Sequence, residues 1–222
     1  MKKVILTLVA VATMGIANAQ LFVGGNLGFG MQSGTNEVTN GGTTVTTDAP
    51  KTTAWEVTPK IGFQMDKMAF GVAFGINGNK EVAKEGLDDA QVTTTEKYFG
   101  WEVCPFFRYN AFEFGNFALF CELQVPFAGG KNTDKIEGNG TTVETDGAKL
   151  FSVGVQVVPG LSYKLSDHVG LDLYVDLLAL GFRMDKSTLE RDNYKSIEKE
   201  TNLWAGINSL PQAITLGFNY NF

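Results

Sequence analysis

From residue 20 onward the chain alternates apolar and polar side chains in eight separate segments, the period-two pattern of β-strands with two unlike faces. The clearest spans 54–65, where Trp55, Val57, Pro59, Ile61, Phe63 and Met65 alternate with Glu56, Thr58, Lys60, Gly62 and Gln64. The pattern recurs near 20–30, 68–77, 97–110, 116–128, 150–163, 169–182 and 210–222. On the apolar parity of these segments there is no Asp, Glu, Lys or Arg. The charges at Glu56, Lys60, Glu102, Arg108, Glu122, Asp172 and Asp176 all fall on the other parity, among Gly, Ala, Ser and Thr.

A cation facing lipid at mid-bilayer costs about 2–4 kcal/mol, so a charge-free face is what a membrane-embedded sheet requires. A soluble ligand-carrying barrel would turn its apolar face inward and need a strongly polar exterior. The second face here is instead small and sparsely charged, which suits a narrow interior. The connections alternate too. Asp66-Lys67, a turn near 111–115 and residues 164–168 are short, whereas 31–53, 78–96, 129–149 and 183–209 are long and polar. The expected fold is an all-β, eight-stranded antiparallel up-and-down transmembrane β-barrel with short periplasmic turns and four long extracellular loops. A repeat accompanies the short turns. Pro59, Pro105 and Pro159 each precede by four residues an aromatic of the same parity: Phe63, Tyr109 and Tyr163. The rings suit an interfacial girdle. The prolines lack a ladder donor, so each predicts a bulge or a broken ladder.

The first residues set the compartment. Lys2 and Lys3 precede a short apolar run, Val4 to Ile16, and Ala17-Asn18-Ala19 is a small-x-small cleavage site. Residues 1–19 therefore read as a cleavable signal peptide and 20–222 as one domain. Without Lys2 and Lys3 the mature chain holds 16 basic against 24 acidic residues, a net charge of −8. That excess argues against nucleic-acid partners. No later apolar run is long enough for a membrane helix, which leaves the barrel open, because strands hide from average hydropathy.

The chain ends Leu216-Gly217-Phe218-Asn219-Tyr220-Asn221-Phe222. The alternation through Phe218, Tyr220 and Phe222 resembles the terminal-strand signal read by the outer-membrane assembly machinery. With the signal peptide, the eight segments and the proline repeat, the mature chain resembles the small outer-membrane β-barrel family (OmpA/OmpX-like). The resemblance implies an integral protein of a Gram-negative outer membrane, exported by a Sec-type signal. It implies outer-membrane lipid, periplasmic chaperones and the barrel assembly machinery as partners. No peptidoglycan-binding domain is expected after Phe222.

Candidate chemistry is sparse. His168, the only histidine, falls in a predicted turn beside Asp167, at the wrong end for a barrel enzyme. No His/Cys cluster suggests a metal, no cofactor is expected, and Gly24-Gly25-Asn26-Leu27-Gly28 reads as strand glycine rather than a phosphate loop. Cys104 and Cys121 occupy opposite parities. If Tyr109 pairs with Phe117, Cys104 faces the lumen opposite Glu122 and Cys121 faces lipid, so two free thiols are expected. The inward charges admit two readings, a hydrogen-bonded plug or the lining of a cation-preferring, porin-like channel. Phe106, Phe120, Tyr98 and Tyr174 share their face and favour the plug. The loops, the last of which carries Glu190, Arg191, Asp192, Lys195, Glu198, Lys199 and Glu200, are the candidate surface-interaction elements. No external ligand is named by the sequence.

Overall fold

The computed structural model describes residues 19–85, 92–138, 140–175, 180–191, 194–205 and 214–222. Residues 1–18, within the stretch expected as a signal peptide, and Asp176 and Asp192 lie outside the described residues. The chain runs β1 (Gln20–Gln32), β2 (Thr35–Asn40), β3 (Thr43–Asp48), β4 (Lys51–Met65), β5 (Met68–Glu85), β6 (Val92–Phe114) and β7 (Phe117–Gln124). It continues with β8 (Phe127–Gly138), β9 (Thr141–Lys164), β10 (Val169–Val175), β11 (Leu180–Arg191), β12 (Tyr194–Ala205) and β13 (Ile214–Asn221). Every pairing is antiparallel. The sequence β1–β4–β5–β6–β7–β9–β10–β13 returns to β1, closing a ring of eight strands. Beyond the ring, β8 continues the line of β7 between β6 and β9, β11 pairs with β9, and β12 pairs with β11. The β2–β3 hairpin forms a separate two-stranded sheet.

The two parities of the sequence become the two sides of this ring. Inward side chains are buried, Phe22, Lys60, Ala73, Phe106, Arg108, Phe120, Glu122, Asp172 and Tyr174 among them. Large apolar side chains of the other parity are exposed: Ile61, Phe74, Ile76, Phe107, Leu119, Leu171, Leu216 and Phe218. A protein folded in water does the reverse with most of its charges and large hydrophobics. The apolar surface is bounded by aromatics at both ends. Near the short turns Phe63 meets Phe70 (ring centroids 5.9 Å apart) and Phe117 meets Tyr163 (4.7 Å). Towards the other end Trp55 meets Phe99 (6.4 Å), with Trp101, Phe127 and Phe151 on neighbouring strands. Eight residue steps separate Trp55 from Phe63 on β4. At ~3.3 Å per step and a tilt of ~40°, that is roughly 20 Å of height, comparable with the ~25 Å apolar band of outer-membrane barrels.

The prolines break ladders without always moving the register. On β4, pairing with β5 lapses between Val57↔Ile76 and Lys60↔Ala73, so Thr58 and Pro59 are skipped while the register holds. On β6, Phe106↔Gln124 belongs to β7 and Val103↔Phe127 to β8; Cys104 and Pro105 sit at the break, bridged by the Val125 amide donating to the Pro105 carbonyl (3.0 Å). On β9 the break at Val158-Pro159 also shifts the register. Gly160 pairs with Tyr174 but Val157 pairs with Leu180, three residues being added on the β10–β11 side.

Three sequence expectations are corrected. The fourth segment runs on to Phe114, past a register shift at Ala111, so Tyr109 pairs with Cys121 rather than Phe117. Arg108, not Cys104, therefore stands opposite Glu122. Cys104 is buried and Cys121 exposed, and both thiols are free, as the parities required. The stretches expected as loops are largely strand. β5 and β6 stay paired to Glu85↔Val92, β8 and β9 to Gly138↔Thr141, and β11–β12 form a hairpin with two twelve-residue arms. Beyond the apolar belt both faces of these ridges meet water, so polarity no longer alternates and the period-two signal vanishes although Thr, Val and Tyr still favour the pleat.

Gly78 and Gly129 lie directly opposite Trp55 and Trp101 in the ladder, and the indoles lie over them. A Cβ at Gly78 would come within 2.6 Å of the Trp55 Nε1, and one at Gly129 within 2.8 Å of the Trp101 ring, whereas one at Gly30 meets nothing within 4 Å. Gly78→Leu and Gly129→Leu are expected to unseat the indoles, shift tryptophan fluorescence and lower stability by about 1–3 kcal/mol in urea unfolding. Gly30→Leu is expected to change neither; equal losses at all three positions would contradict the indole seats.

Candidate functional site

The charged inward residues gather in the half of the ring nearer the short turns. Three of the long side chains there have small neighbours on both sides in their ladder rows, leaving room to reach across, while Arg108 and Glu122 are neighbours of each other. Lys60 lies between Gly24 and Ala73, Asp172 between Gly217 and Ser162, and Tyr174 between Gly160 and Thr215. Gly160 is indispensable to this packing, because a Cβ there would lie 2.2 Å from the Phe120 ring.

Glu122 on β7 is the centre of the network. Its Oε1 accepts from Lys60 Nζ (2.8 Å) and Gln124 Nε2 (2.7 Å). Its Oε2 accepts from Arg108 Nη2 (2.8 Å), Arg108 Nε (3.0 Å) and the Tyr174 hydroxyl (3.2 Å). Arg108 also donates through Nη1 to Asp172 Oδ2 (3.0 Å) and through Nη2 to the Tyr174 oxygen, while Lys60 donates to that oxygen at 2.6 Å. Asn219 Nδ2 donates to Asp172 Oδ1 (3.1 Å), and Gln156 Nε2 to Gln124 Oε1 (2.6 Å). The Glu122 side chain has no exposed surface. Two cations and two carboxylates balance, so the cluster carries no net charge into the interior.

Aromatic rings fill the space around these polar groups. The Arg108 guanidinium lies 3.9 Å from the Phe120 ring centre, and Lys60 Nζ lies 4.8 Å and 4.5 Å from those of Phe106 and Tyr174. Phe120 meets Tyr174 edge-on at 5.3 Å, and Phe22 meets Phe106 at 6.1 Å. Side chains from β1, β4, β6, β7 and β10 thus occupy the cross-section at this level. Towards the long hairpins lies a cavity of about 230 Å³ bounded by Glu56, Thr58, Glu102, Gln124, Gln156 and Thr215, among others.

Of the seven inward charges read from the sequence, the fold unites Lys60, Arg108, Glu122 and Asp172. Glu56 and Glu102 stand apart on the cavity wall. Glu56 accepts from Thr58 Oγ1 (2.7 Å), and neither carboxylate has an ion-pair partner among the described residues. Asp176 lies outside the described residues. Sequence reading missed Gln124, Gln156 and Asn219, and placed Tyr174 as filling rather than as a hydrogen-bonding member. All four share the inward parity, which was the available signal. Phe218 and Tyr220 lie exposed on the outer side of β13, and Phe222, directly after the strand, is exposed too. His168 sits in the β9–β10 turn, its Nδ1 hydrogen-bonded to the Asn221 carbonyl (2.9 Å) and its ring stacked on Tyr220. The Phe222 amide donates to the Leu21 carbonyl (3.0 Å), tying the chain end to β1.

No protein-family model matches the chain, and no curated protein matches it in sequence. Among solved structures, the crystal structure of Neisserial surface protein A (NspA) aligns over 91% of this chain and 97% of its own, at 11% identity and a TM-score of 0.32. A likeness of that extent assigns neither family nor function.

Removing one partner from a buried ion network leaves the others uncompensated, at a cost of about 3–5 kcal/mol. Glu122→Ala is expected to lose that much in unfolding measurements, and Glu122→Gln less, because the amide retains one acceptor. A loss below about 1 kcal/mol for the alanine variant would show that the network is not held together at Glu122.

Proposed function

We propose that this chain is an integral outer-membrane β-barrel of eight strands, with short periplasmic turns, a sealed lumen and long hairpins that present a surface-interaction platform to the exterior. The observation that carries this reading is radial: apolar side chains cover the outside of a closed antiparallel ring while Lys60, Arg108, Glu122 and Asp172 are paired within it. Lipid is the solvent in which that distribution is stable, since closure satisfies the backbone and the interior satisfies the charges. The apolar belt and its two aromatic margins support the same placement. The signal segment at 1–19 would deliver the chain to the periplasm by the Sec route. Chaperones and the barrel assembly machinery would then be its partners in biogenesis, with Phe218, Tyr220 and Phe222 as the terminal signal. The role is non-enzymatic and needs no cofactor in this reading.

A second reading, a small-solute or cation-preferring channel, draws on the cavity lined by Glu56 and Glu102. The two readings differ in what happens at the level of Glu122. There the aromatic rings and the ion network leave no continuous passage in the sealed version.

The refolded barrel is expected to migrate anomalously when unheated, to insert into liposomes, and to leave them tight to ions and small solutes. Glu122→Ala vesicles are expected to leak. Wild-type vesicles that leak as freely as the variant would favour the channel. Deleting Phe222 is expected to reduce membrane insertion severely in cells; undiminished insertion would remove the terminal strand from the assembly signal.

A further inference from the structure

The outer face carries a second pattern just beyond the apolar belt. On β4 the outward residues continue from Trp55 through Thr53 to Lys51, and on β5 from Ile76 through Gly78 to Lys80. On β6 Phe99 is followed outward by Lys97, on β8 Gly129 by Lys131, on β9 Phe151 by Lys149, and on β11 Met184 by Lys186. On β12 Leu203 and Thr201 lead to Lys199. On seven neighbouring strands, then, the first charged outward residue past the belt is a lysine, although acidic residues outnumber basic ones 24 to 18 in the chain. At the turn end both signs occur, with Asp66, Lys67, Lys164 and Asp167.

The lysines also face one another. Lys80 is directly opposite Lys97, Lys131 opposite Lys149, and Lys186 opposite Lys199. Like charges in direct cross-strand register repel, so three such pairs at one margin are a cost that an intervening anion removes. Lys131 is paired with Asp146 at 2.7 Å; the other five lysines of these pairs are exposed and have no ion-pair partner among the described residues. The remaining carboxylates on this face, including Glu137, Glu144 and Glu190, lie farther from the belt.

We propose that this arc of lysines binds the phosphate groups of lipid headgroups in the leaflet at the long-hairpin end. The inference rests on the reading that the apolar belt lies in a bilayer. Headgroup phosphates then sit immediately above the acyl region, at the level the lysines occupy, and their charge is complementary. The long methylene stems let each ammonium adjust its height while keeping apolar contact with the belt. The alternation from apolar belt to cationic rim on one face, strand after strand, is the form such a boundary takes. A soluble anionic ligand would not require the continuity with the belt.

The test uses the full mature barrel refolded into phosphatidylcholine bilayers with or without a bisphosphorylated glycolipid (lipid A), with native mass spectrometry counting the lipid retained. Wild type is expected to retain the phosphorylated lipid and to release it as salt rises. A variant with Lys80, Lys97, Lys131, Lys149, Lys186 and Lys199 all changed to Gln is expected to bind it about tenfold or more weakly. Lys67→Gln with Lys164→Gln, at the turn end, is expected to bind as wild type does. Equal retention by the six-lysine variant, or an equal loss in the turn-end variant, would overturn the lysine arc while leaving the barrel intact. Failure of wild type to insert into either bilayer would overturn the membrane reading itself. Should the six-lysine variant not regain its heat-modifiable form, the three pair variants give the same decision, each expected to lose part of the affinity.

Discussion

An antiparallel strand with an apolar outward face leaves a row of amide and carbonyl groups along each edge, and in a medium without water those groups have no alternative partner. Closure of the ring pairs the first strand with the last and leaves no such edge, and most features of this chain follow from it. β1 must find the last strand, which brings residues 22–26 against 217–221 and ties Phe222 to Leu21. The turn carrying His168 supports the same junction from the neighbouring β10 side through the Asn221 carbonyl. The single histidine is thus part of how the ring ends.

A ring of eight strands has an interior with little room, and this chain resolves the crowding by pairing large with small. Glycine and alanine stand beside Lys60, Asp172 and Tyr174 in their ladder rows, so the long side chains project across the lumen instead of colliding with their own wall. Once they project, they must be neutralised. Lys60, Arg108, Glu122 and Asp172 come from four strands and balance one another, with Tyr174, Gln124 and Asn219 taking up the remaining donors and acceptors. A buried ion network of this kind contributes little net stability compared with an apolar core, but it is sensitive to the loss of any member. Its arrangement therefore specifies how the interior packs more than how firmly.

The prolines modulate the ring where the interior is fullest. Each removes one donor from one ladder, and each break lies close to the level of the ion network: Pro59 beside Lys60, Pro105 beside Phe106, Pro159 beside Gly160. Interrupted ladders permit sharper local curvature, which a narrow ring needs on the side where bulky rings point inward. Beyond the belt the constraint relaxes. There the strands rise as paired ridges, and water satisfies whatever edges the pairing leaves.

Alternation alone determined which residues face outward and which inward, because a side-chain period of two cannot be slipped by one residue without reversing an entire face. It therefore located Lys60, Arg108, Glu122 and Asp172 on the interior, kept Cys104 and Cys121 apart, and marked the three proline breaks. It could not determine which inward charges meet. Partners such as Lys60 and Glu122 lie 62 residues apart in the chain, and their encounter depends on ring closure and on the stagger between strands. The run of β6 on to Phe114, four residues past the expected end of the segment at 110, made Arg108 rather than Cys104 the neighbour of Glu122, and the one-residue shift at Ala111 set the final register, a local event with no hydrophobic signature. The ridges beyond the belt were equally silent, since a strand with water on both faces has no reason to alternate. What the tertiary structure decided, in each case, was contact between distant segments whose side chains share a face but not a neighbourhood in sequence.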